Sequence, residues 1–201
     1  MEYSSKALDR VIKSFSKLPG IGEKSAQRIA LYLLQTDRQN GEDLAQSVLD
    51  LYQNIGYCSV CFNLTEEDIC EICSNPKRDH STICVVDEHK DLLAIERTGQ
   101  YNGVYHVLGG VLSPLDGVEE KDLKIEELIS RINSEVNEVI LAINPTVEGE
   151  MTSSRLFALL EKKNIRITRI AQGIPFGASL EFNDNVTITR AIEDRVSFNK
   201  N

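Results

Sequence analysis

The sequence predicts an α/β protein with a helical N-terminal region, a small four-cysteine finger, and a parallel-sheet domain that ends in a C-terminal extension. Three observations predict this fold class: apolar residues at helical spacing before residue 55, two closely spaced C-x2-C pairs, and alternating strand-like and helical segments from residue 82 onward. The 201 residues are 41% hydrophobic and 26% charged, which is typical of a globular protein and excludes collagenous and disordered classes.

The N-terminal region is predicted to contain three amphipathic helices, because apolar residues there recur every three or four positions. The three sets are Ala7, Leu8, Val11, Ile12 and Phe15; Ala26, Ile29, Ala30, Leu33 and Leu34; and Leu44, Ala45, Val48, Leu49 and Tyr52. The segment LPGIGEKS joins the first two helices. In it, Gly20 and Gly22 allow a tight turn, and Ile21 between them is expected to point inward.

This joint predicts an anion site. The first N–H groups of the second helix face outward there, beside the positive end of the helix dipole. Lys24 and Arg28 lie one turn apart on that helix, so both can reach one DNA strand. The pattern is typical of a helix-hairpin-helix motif that contacts phosphates, and a simple tight turn in an α-hairpin stays open as the alternative. A P-loop is excluded because Glu23 separates Gly22 from Lys24 and a helix precedes the turn.

The net charge of −9 hides an asymmetry along the chain. Residues 1–39 carry seven basic and four acidic groups, whereas the other 162 residues carry 15 basic and 27 acidic groups. An acidic protein is a poor nonspecific ligand for a polyanion, so the N-terminal region is the favoured place for nucleic acid. The alternative is that this region is only a solvated helical surface.

Four of the five cysteines form the pattern C-x2-C, eight residues, C-x2-C, made by Cys58, Cys61, Cys70 and Cys73. This spacing predicts one zinc ion per chain, held by four thiolates with no open position, and therefore a structural metal. Paired disulfides and an iron–sulfur cluster are the alternatives. The finger is acidic, so we expect it to fix the joint between two domains rather than to bind phosphates.

The second half of the chain predicts a parallel sheet covered on both faces, because near-continuous apolar runs alternate with helical stretches. The predicted strands are 82–87, 104–108, 138–143 and 165–171, and the predicted helices are 89–98, 123–134 and 151–163. Cys84 is expected to be a small buried apolar residue. The histidines His80, His89 and His106 are expected at the surface or in satisfied positions, and not as metal ligands.

Acidic residues follow two of the predicted strands. Asp87 and Glu88 end the first strand, and Glu148 and Glu150 follow the third through the segment NPTV. Since function gathers at the carboxyl ends of parallel strands, these residues are candidates for a Mg²⁺ site or a partner surface. They are equally well interpreted as loop acids in a chain that contains 31 acidic residues.

No window of the sequence approaches 18 uninterrupted apolar residues, and the start MEYSSKALDR has no apolar core of a signal peptide. We therefore expect a cytoplasmic protein that does not associate with a membrane.

Several motifs together resemble the bacterial RecR family of recombination mediators. They are LPGIGEKSAQRIA, CSVCFNLTEEDICEICSNPKRD, LSPLDGV, NPTVEGE and the tail GIPFGASLEFNDNVTITRAIEDR, and the resemblance runs from about residue 7 to 198. The sheet domain is similar to the Toprim fold of topoisomerases, primases and some nucleases. The expected domains are a helix-hairpin-helix region (1–55), a zinc finger (56–79), a Toprim domain (81–176) and a C-terminal segment (177–201).

The resemblance implies that the four cysteines bind zinc, that Lys24 and Arg28 bind DNA, and that the protein has no catalytic activity of its own. It also implies the partners RecO and, in many bacteria, RecF, a role in loading RecA onto single strands at gaps, and assembly into dimers or ring-like tetramers. Asp87 stands where relatives commonly have Glu, and Asp194 where Gly often precedes the Arg. A Mg²⁺-dependent Toprim nuclease or topoisomerase-like enzyme is the alternative function.

Overall fold

The computed structural model describes residues 5–196, and the chain divides between residues 55 and 56 into two compact units. Residues 197–201, the end of the expected C-terminal segment, lie outside this range, as do residues 1–4. The finer division into four domains stays a prediction. Across the described residues, no helix combines the length and the apolar character that crossing a membrane requires.

The first unit consists of three helices: α1 (Lys6–Phe15), α2 (Glu23–Gln35) and α3 (Arg38–Asn54). Side chains cap two of them, since Ser5 accepts a hydrogen bond from the backbone of Leu8 and Asp37 accepts one from Gln39. The three predicted helices are thus confirmed.

The core of this unit is small. Ile12 of α1 packs on Ala26 and Ala30 of α2, and these three residues are its buried apolar side chains. Helix α3 buries none of its residues, although its apolar positions follow a helical period.

The second unit begins with the finger. Strands β1 (Gly56–Tyr57) and β2 (Leu64–Thr65) pair antiparallel, and the short helix α4 (Glu71–Ser74) follows them. Cys58 and Cys61 lie in the hairpin between the strands, while Cys70 and Cys73 lie at the start of α4 and within it.

A four-stranded parallel sheet forms the body of the second unit, as predicted. Its strands β3, β4, β5 and β6 span Asp79–Val86, Gly103–Val107, Glu138–Leu141 and Arg166–Arg169. Their spatial order is β4-β3-β5-β6. The helices α5, α6, α7 and α8 span His89–Glu96, Ile125–Arg131, Val147–Leu160 and Asn185–Glu193.

The sheet carries apolar residues on both faces. Ile83 and Val85 of β3 belong to a core that includes Leu128 of α6 and Leu156 of α7. The alternate residues of the same strand, such as Cys84, pack with α5 on the other face. The prediction that both faces are covered is therefore confirmed, and so is the prediction that Cys84 is buried, where burial raises the pKa of its thiol to about 12.

The main error of the sequence-based prediction concerns the start of α7, which begins at Val147 rather than at residue 151. Thr146 caps the helix by accepting a hydrogen bond from the backbone N–H of Gly149 at 3.1 Å. Gly149 also passes so close to the carbonyl of Asn144 that a Cβ would lie 1.9 Å from its oxygen. The proline and glycine of NPTVEGE, which predict a loop, thus belong to a tight entry into a helix.

Candidate functional site

The turn between α1 and α2 has the geometry that its glycines predict, but only one glycine needs its conformational freedom. Gly20 has a φ of +78°, which favours glycine, whereas Gly22 has a φ of −80° and open space where a side chain would lie. The backbone N–H of Ile21 donates to the carbonyl of Leu18 at 3.1 Å, which closes the turn. The half-buried Ile21 packs against the core of Ile12, Ala26 and Ala30, as predicted.

Gly22 occupies the N-cap position of α2, so no side chain caps the first turn of this helix. Its N–H groups are therefore available to an anion, beside the positive end of the helix dipole. Lys24 and Arg28 are exposed on the same helix, and within residues 5–196 neither is in an ion pair. Lys13 of α1, in contrast, pairs with Asp9 at 2.7 Å. Two uncompensated cations thus accompany the open helix end.

The four finger cysteines converge, with their sulfur atoms all within 4.8 Å of one another. Tetrahedral zinc with Zn–S bonds of about 2.3 Å places its sulfurs roughly 3.8 Å apart, so the arrangement fits the ion. Cys58, Cys61 and Cys70 are buried, and four thiolates complete a tetrahedral site, so no position is left for a water ligand. These cysteines form the site of one structural zinc ion.

The finger is attached to the sheet through the residues that surround its first C-x2-C pair. The carbonyl of Cys61 accepts a hydrogen bond from the backbone of Val107 at the end of β4, at 2.9 Å. The carbonyl of Phe62 accepts one from His89 Nε2 at 3.0 Å, and the ammonium of Lys124 lies 5.0 Å above the Phe62 ring. Metal bound by the finger would therefore also help to hold one end of the sheet in place.

His106 lies beneath this junction, fully buried. Its Nε2 donates to the carbonyl of Lys124 at 2.7 Å, and its Nδ1 accepts from Arg131 at 3.0 Å. Burial, followed by the nearby Arg131 guanidinium, lowers the pKa of His106 to about 4. The prediction of a satisfied histidine is confirmed here, and the half-buried Arg131 partner is a feature that the sequence did not indicate.

The acidic residues after β3 have separate roles. Asp87 is buried, and its Oδ2 accepts a hydrogen bond from Asn144 at 2.8 Å, while its Oδ1 has no partner among the described residues. Burial raises the pKa of this carboxyl. Glu88 is at the N-cap of α5, where it caps the helix and pairs with Lys90 at 2.6 Å.

Glu148 and Glu150 lie in the first turn of α7, which corrects their interpretation as loop acids. Glu150 lies 2.9 Å from Arg190 of α8 and 3.6 Å from Arg169 of β6. Hydrogen bonds from Gln172 and Arg190 lower the pKa of Glu150.

In residues 5–196 the cysteine cluster is the one group of three or more ligating side chains close enough to share a metal. Binding of Mg²⁺ at the acidic residues stays a prediction.

Comparison with known families defines the class of protein. Family models match four consecutive stretches of the chain: RecR helix-hairpin-helix (8–51), RecR four-cysteine zinc finger domain (55–75), Toprim domain (81–171) and RecR C-terminal (173–196). The finger described above falls within the second of these matches, and the sheet falls within the third except for the first two residues of β3.

Curated relatives that are similar over nearly the full length of the chain indicate the same family. Proteins named "Recombination protein RecR" are 50% identical in Chloroherpeton thalassium, 48% in Carboxydothermus hydrogenoformans and 46% in Porphyromonas gingivalis. The alignments cover 96–98% of this chain and 96–98% of the relatives. The chain belongs to the RecR family.

Proposed function

We propose that this chain is a non-catalytic, DNA-binding recombination mediator that acts with RecO and RecF and helps to load RecA onto single-stranded DNA at gaps. The observation that carries the proposal is the α1–α2 hairpin, whose uncapped helix end lies beside the cations Lys24 and Arg28, both unpaired within residues 5–196. The names of the relatives support a role in recombination. The hairpin would bind phosphates and would therefore be largely independent of DNA sequence.

The DNA-binding role is tested by removing the two cations. The variant Lys24→Ala/Arg28→Ala should bind a fluorescein-labelled oligonucleotide at least about tenfold more weakly in fluorescence anisotropy, because each chain loses two phosphate contacts. The matched control is Lys13→Ala/Arg38→Ala. It removes the same charge from the same unit, but its cations are already paired with Asp9 and Glu42. Equal losses in both variants would refute a specific role for the hairpin.

We also propose that the chain self-associates into a dimer or a ring-like tetramer that surrounds DNA. One hairpin neutralises few phosphates, and several hairpins on a closed oligomer raise affinity through effective concentration. Support comes from α3, which buries no residue and leaves Tyr52 83% exposed. Phe176 and Phe182, near the C-terminal end, are also exposed aromatic residues and therefore also support self-association.

Light scattering after gel filtration tests this assembly. The wild-type mass should exceed the 22.5 kDa of one chain by a factor of two or four. Tyr52→Glu should reduce the mass, since a charge in an apolar interface is costly, whereas Gln53→Glu adds the same charge at the neighbouring exposed position and should leave it unchanged. A monomeric wild type would exclude the ring.

The surface around Glu148 is our candidate for binding a basic partner such as RecO. It belongs to the acidic part of the chain, and Glu148 is half-exposed at the start of α7. In a pull-down, Glu148→Lys should weaken the RecO complex without changing zinc content. Glu161→Lys makes the same charge change just beyond the other end of α7 and is the control. An undiminished complex with Glu148→Lys would count against this surface.

The alternative is a Mg²⁺-dependent Toprim nuclease or topoisomerase. One observation favours it: Oδ1 of Asp87 is buried and has no hydrogen-bond partner among the described residues. Incubation with supercoiled plasmid and Mg²⁺, followed by removal of the protein, separates the two functions. We expect unchanged plasmid topology. Nicking or relaxation that Asp87→Asn abolishes would establish the enzyme and refute the non-catalytic role.

A further inference from the structure

Helix α2 carries a shallow groove that extends well beyond the two cations of the hairpin. Its volume is about 420 Å³. The lining residues share one face of the helix and are Lys24, Gln27, Arg28, Leu31, Tyr32 and Gln35. Ala26 and Ala30, which pack against α1, lie on the opposite face, so the groove is directed away from the core of the first unit.

Tyr32 continues the line that the cations begin. Lys24, Arg28 and Tyr32 are spaced four residues apart, which places them along one side of the helix over about 12 Å. The Tyr32 side chain is 63% exposed. Among the described residues, its ring has no aromatic partner and its hydroxyl has no hydrogen bond. A large amphipathic ring is therefore presented to solvent beside two phosphate-binding side chains.

This combination matches the chemistry of single-stranded nucleic acid recognition. Proteins that bind single strands pair basic side chains, which hold the backbone, with exposed aromatic rings, on which unpaired bases stack. In a duplex the bases are already stacked on one another, so an exposed tyrosine gains nothing comparable. The amides of Gln27 and Gln35, which also line the groove, are able to donate to and accept from base edges.

We propose that Tyr32 stacks on an unpaired nucleobase of the strand whose phosphates bind at Lys24 and Arg28. The groove on α2 is then a nucleobase subsite, and it gives the hairpin a preference for single-stranded over double-stranded DNA. This inference rests on the proposed binding of DNA at the hairpin. It adds to that function a residue that selects the form of DNA.

The first test compares substitutions at Tyr32 on a single-stranded oligonucleotide and on its duplex. Tyr32→Ala should weaken single-strand binding about 5- to 100-fold and change duplex binding less than about twofold. Tyr32→Phe keeps the ring and should restore most of the affinity. Leu34→Ala is the matched control, because Leu34 is an exposed apolar residue of α2 that does not line the groove. Equal losses on both forms of DNA would overturn the proposal.

The second test reads stacking directly. The chain contains no tryptophan, so Tyr32→Trp introduces a single indole at the subsite. Its fluorescence should be quenched by a single-stranded oligonucleotide and far less by an abasic oligonucleotide of the same length. Equal quenching by both would show that the ring senses the backbone and not a base, which would refute the subsite.

These outcomes separate the inference from the function on which it rests. One outcome is that Lys24→Ala/Arg28→Ala no longer binds DNA, while Tyr32→Ala binds single-stranded and double-stranded DNA as tightly as the wild type. That outcome would support DNA binding by the hairpin and refute the nucleobase subsite. If the wild type binds no DNA, both proposals fail. A contact of Tyr32 with a second copy of the chain is the remaining outcome. It would appear as a reduced mass of Tyr32→Ala in light scattering without DNA, and it would also refute the subsite.

Discussion

The helical unit and the sheet unit differ in where their apolar side chains lie. In the sheet unit, residues such as Val85, Leu156 and Leu160 are fully buried in a core that spans three strands and two helices. The helical unit buries three small or medium side chains and exposes most of the apolar face of α3. The sheet unit therefore has a core large enough to supply its own stability, whereas the helical unit leaves many of its apolar side chains exposed.

Loss of zinc should have the largest effect, because metal binding supplies the folding free energy of the finger. Cys61→Ser should abolish stoichiometric zinc and lower the midpoint of thermal unfolding by about 10 °C or more, on the order of several kcal/mol. The effect should reach the sheet, since the carbonyl of Cys61 holds the end of β4. Zinc analysis and circular dichroism measure both.

Cys84→Ala is the control for this prediction, because Cys84 is buried in the sheet core and takes no part in the metal cluster. It should retain one zinc ion per chain. A Cys61→Ser protein with full zinc content would contradict the assignment of the ligands.

The next largest effect should come from replacing a leucine by alanine, which should reduce the free energy of unfolding in the sheet unit and hardly change it in the helical unit. Leu156→Ala removes a fully buried side chain and should lower the free energy of unfolding by about 2–5 kcal/mol. Leu49→Ala removes a half-exposed side chain of α3 and should change it by less than about 0.5 kcal/mol when the protein is kept monomeric by dilution. Urea unfolding measures both values. Similar losses at the two positions would remove the contrast between the units.

The pH dependence of stability should be smaller still and specific to the sheet unit. The pKa of His106 falls from about 6.5 to about 4 on folding, so the unfolded chain binds a proton first as pH decreases. Its contribution is fully present above pH 6.5 and is lost as pH falls from 6.5 towards 4. We expect a loss of about 1.5 kcal/mol between about pH 6.5 and 5.

His106→Gln should flatten this slope, because glutamine does not titrate. Zinc content is measured at each pH, so that acid release of the metal is recognised. The carboxyl groups of Glu96 and Glu150 have pKa values lowered from 4.5, so most of their titration lies below this window and they contribute little to the slope. An unchanged slope in His106→Gln would show that another group controls it.

The sequence predicted those features of both units that burial or metal binding imposes on it. Buried strands, the cysteine ligands and the inward position of Ile21 were predictable, because burial and metal geometry leave a regular pattern in the sequence. The start of α7 was not, since it depends on the cap at Thr146 and on a close approach of Gly149 to Asn144. Nor was the pairing of Glu150 with Arg190, because residues 40 positions apart meet only through the fold.

The exposure of the apolar residues of α3 was also not predictable from their helical spacing. A helical period shows which residues share a face, but it does not show whether the same chain covers that face.

Whether the hairpin binds DNA is tested by measuring DNA affinity and unfolding on the same variant, Lys24→Ala/Arg28→Ala. Anisotropy titrations over a range of salt should show weaker binding and a slope of log K against log[salt] that is smaller by about 1.4 or more for single strands. The free energy of unfolding measured in urea should differ from that of the wild type by less than about 0.5 kcal/mol. Both side chains are exposed and, among the described residues, unpaired. An unchanged affinity and slope, or a loss of affinity that accompanies an equal loss of folded protein, would contradict the assignment of DNA binding to the hairpin.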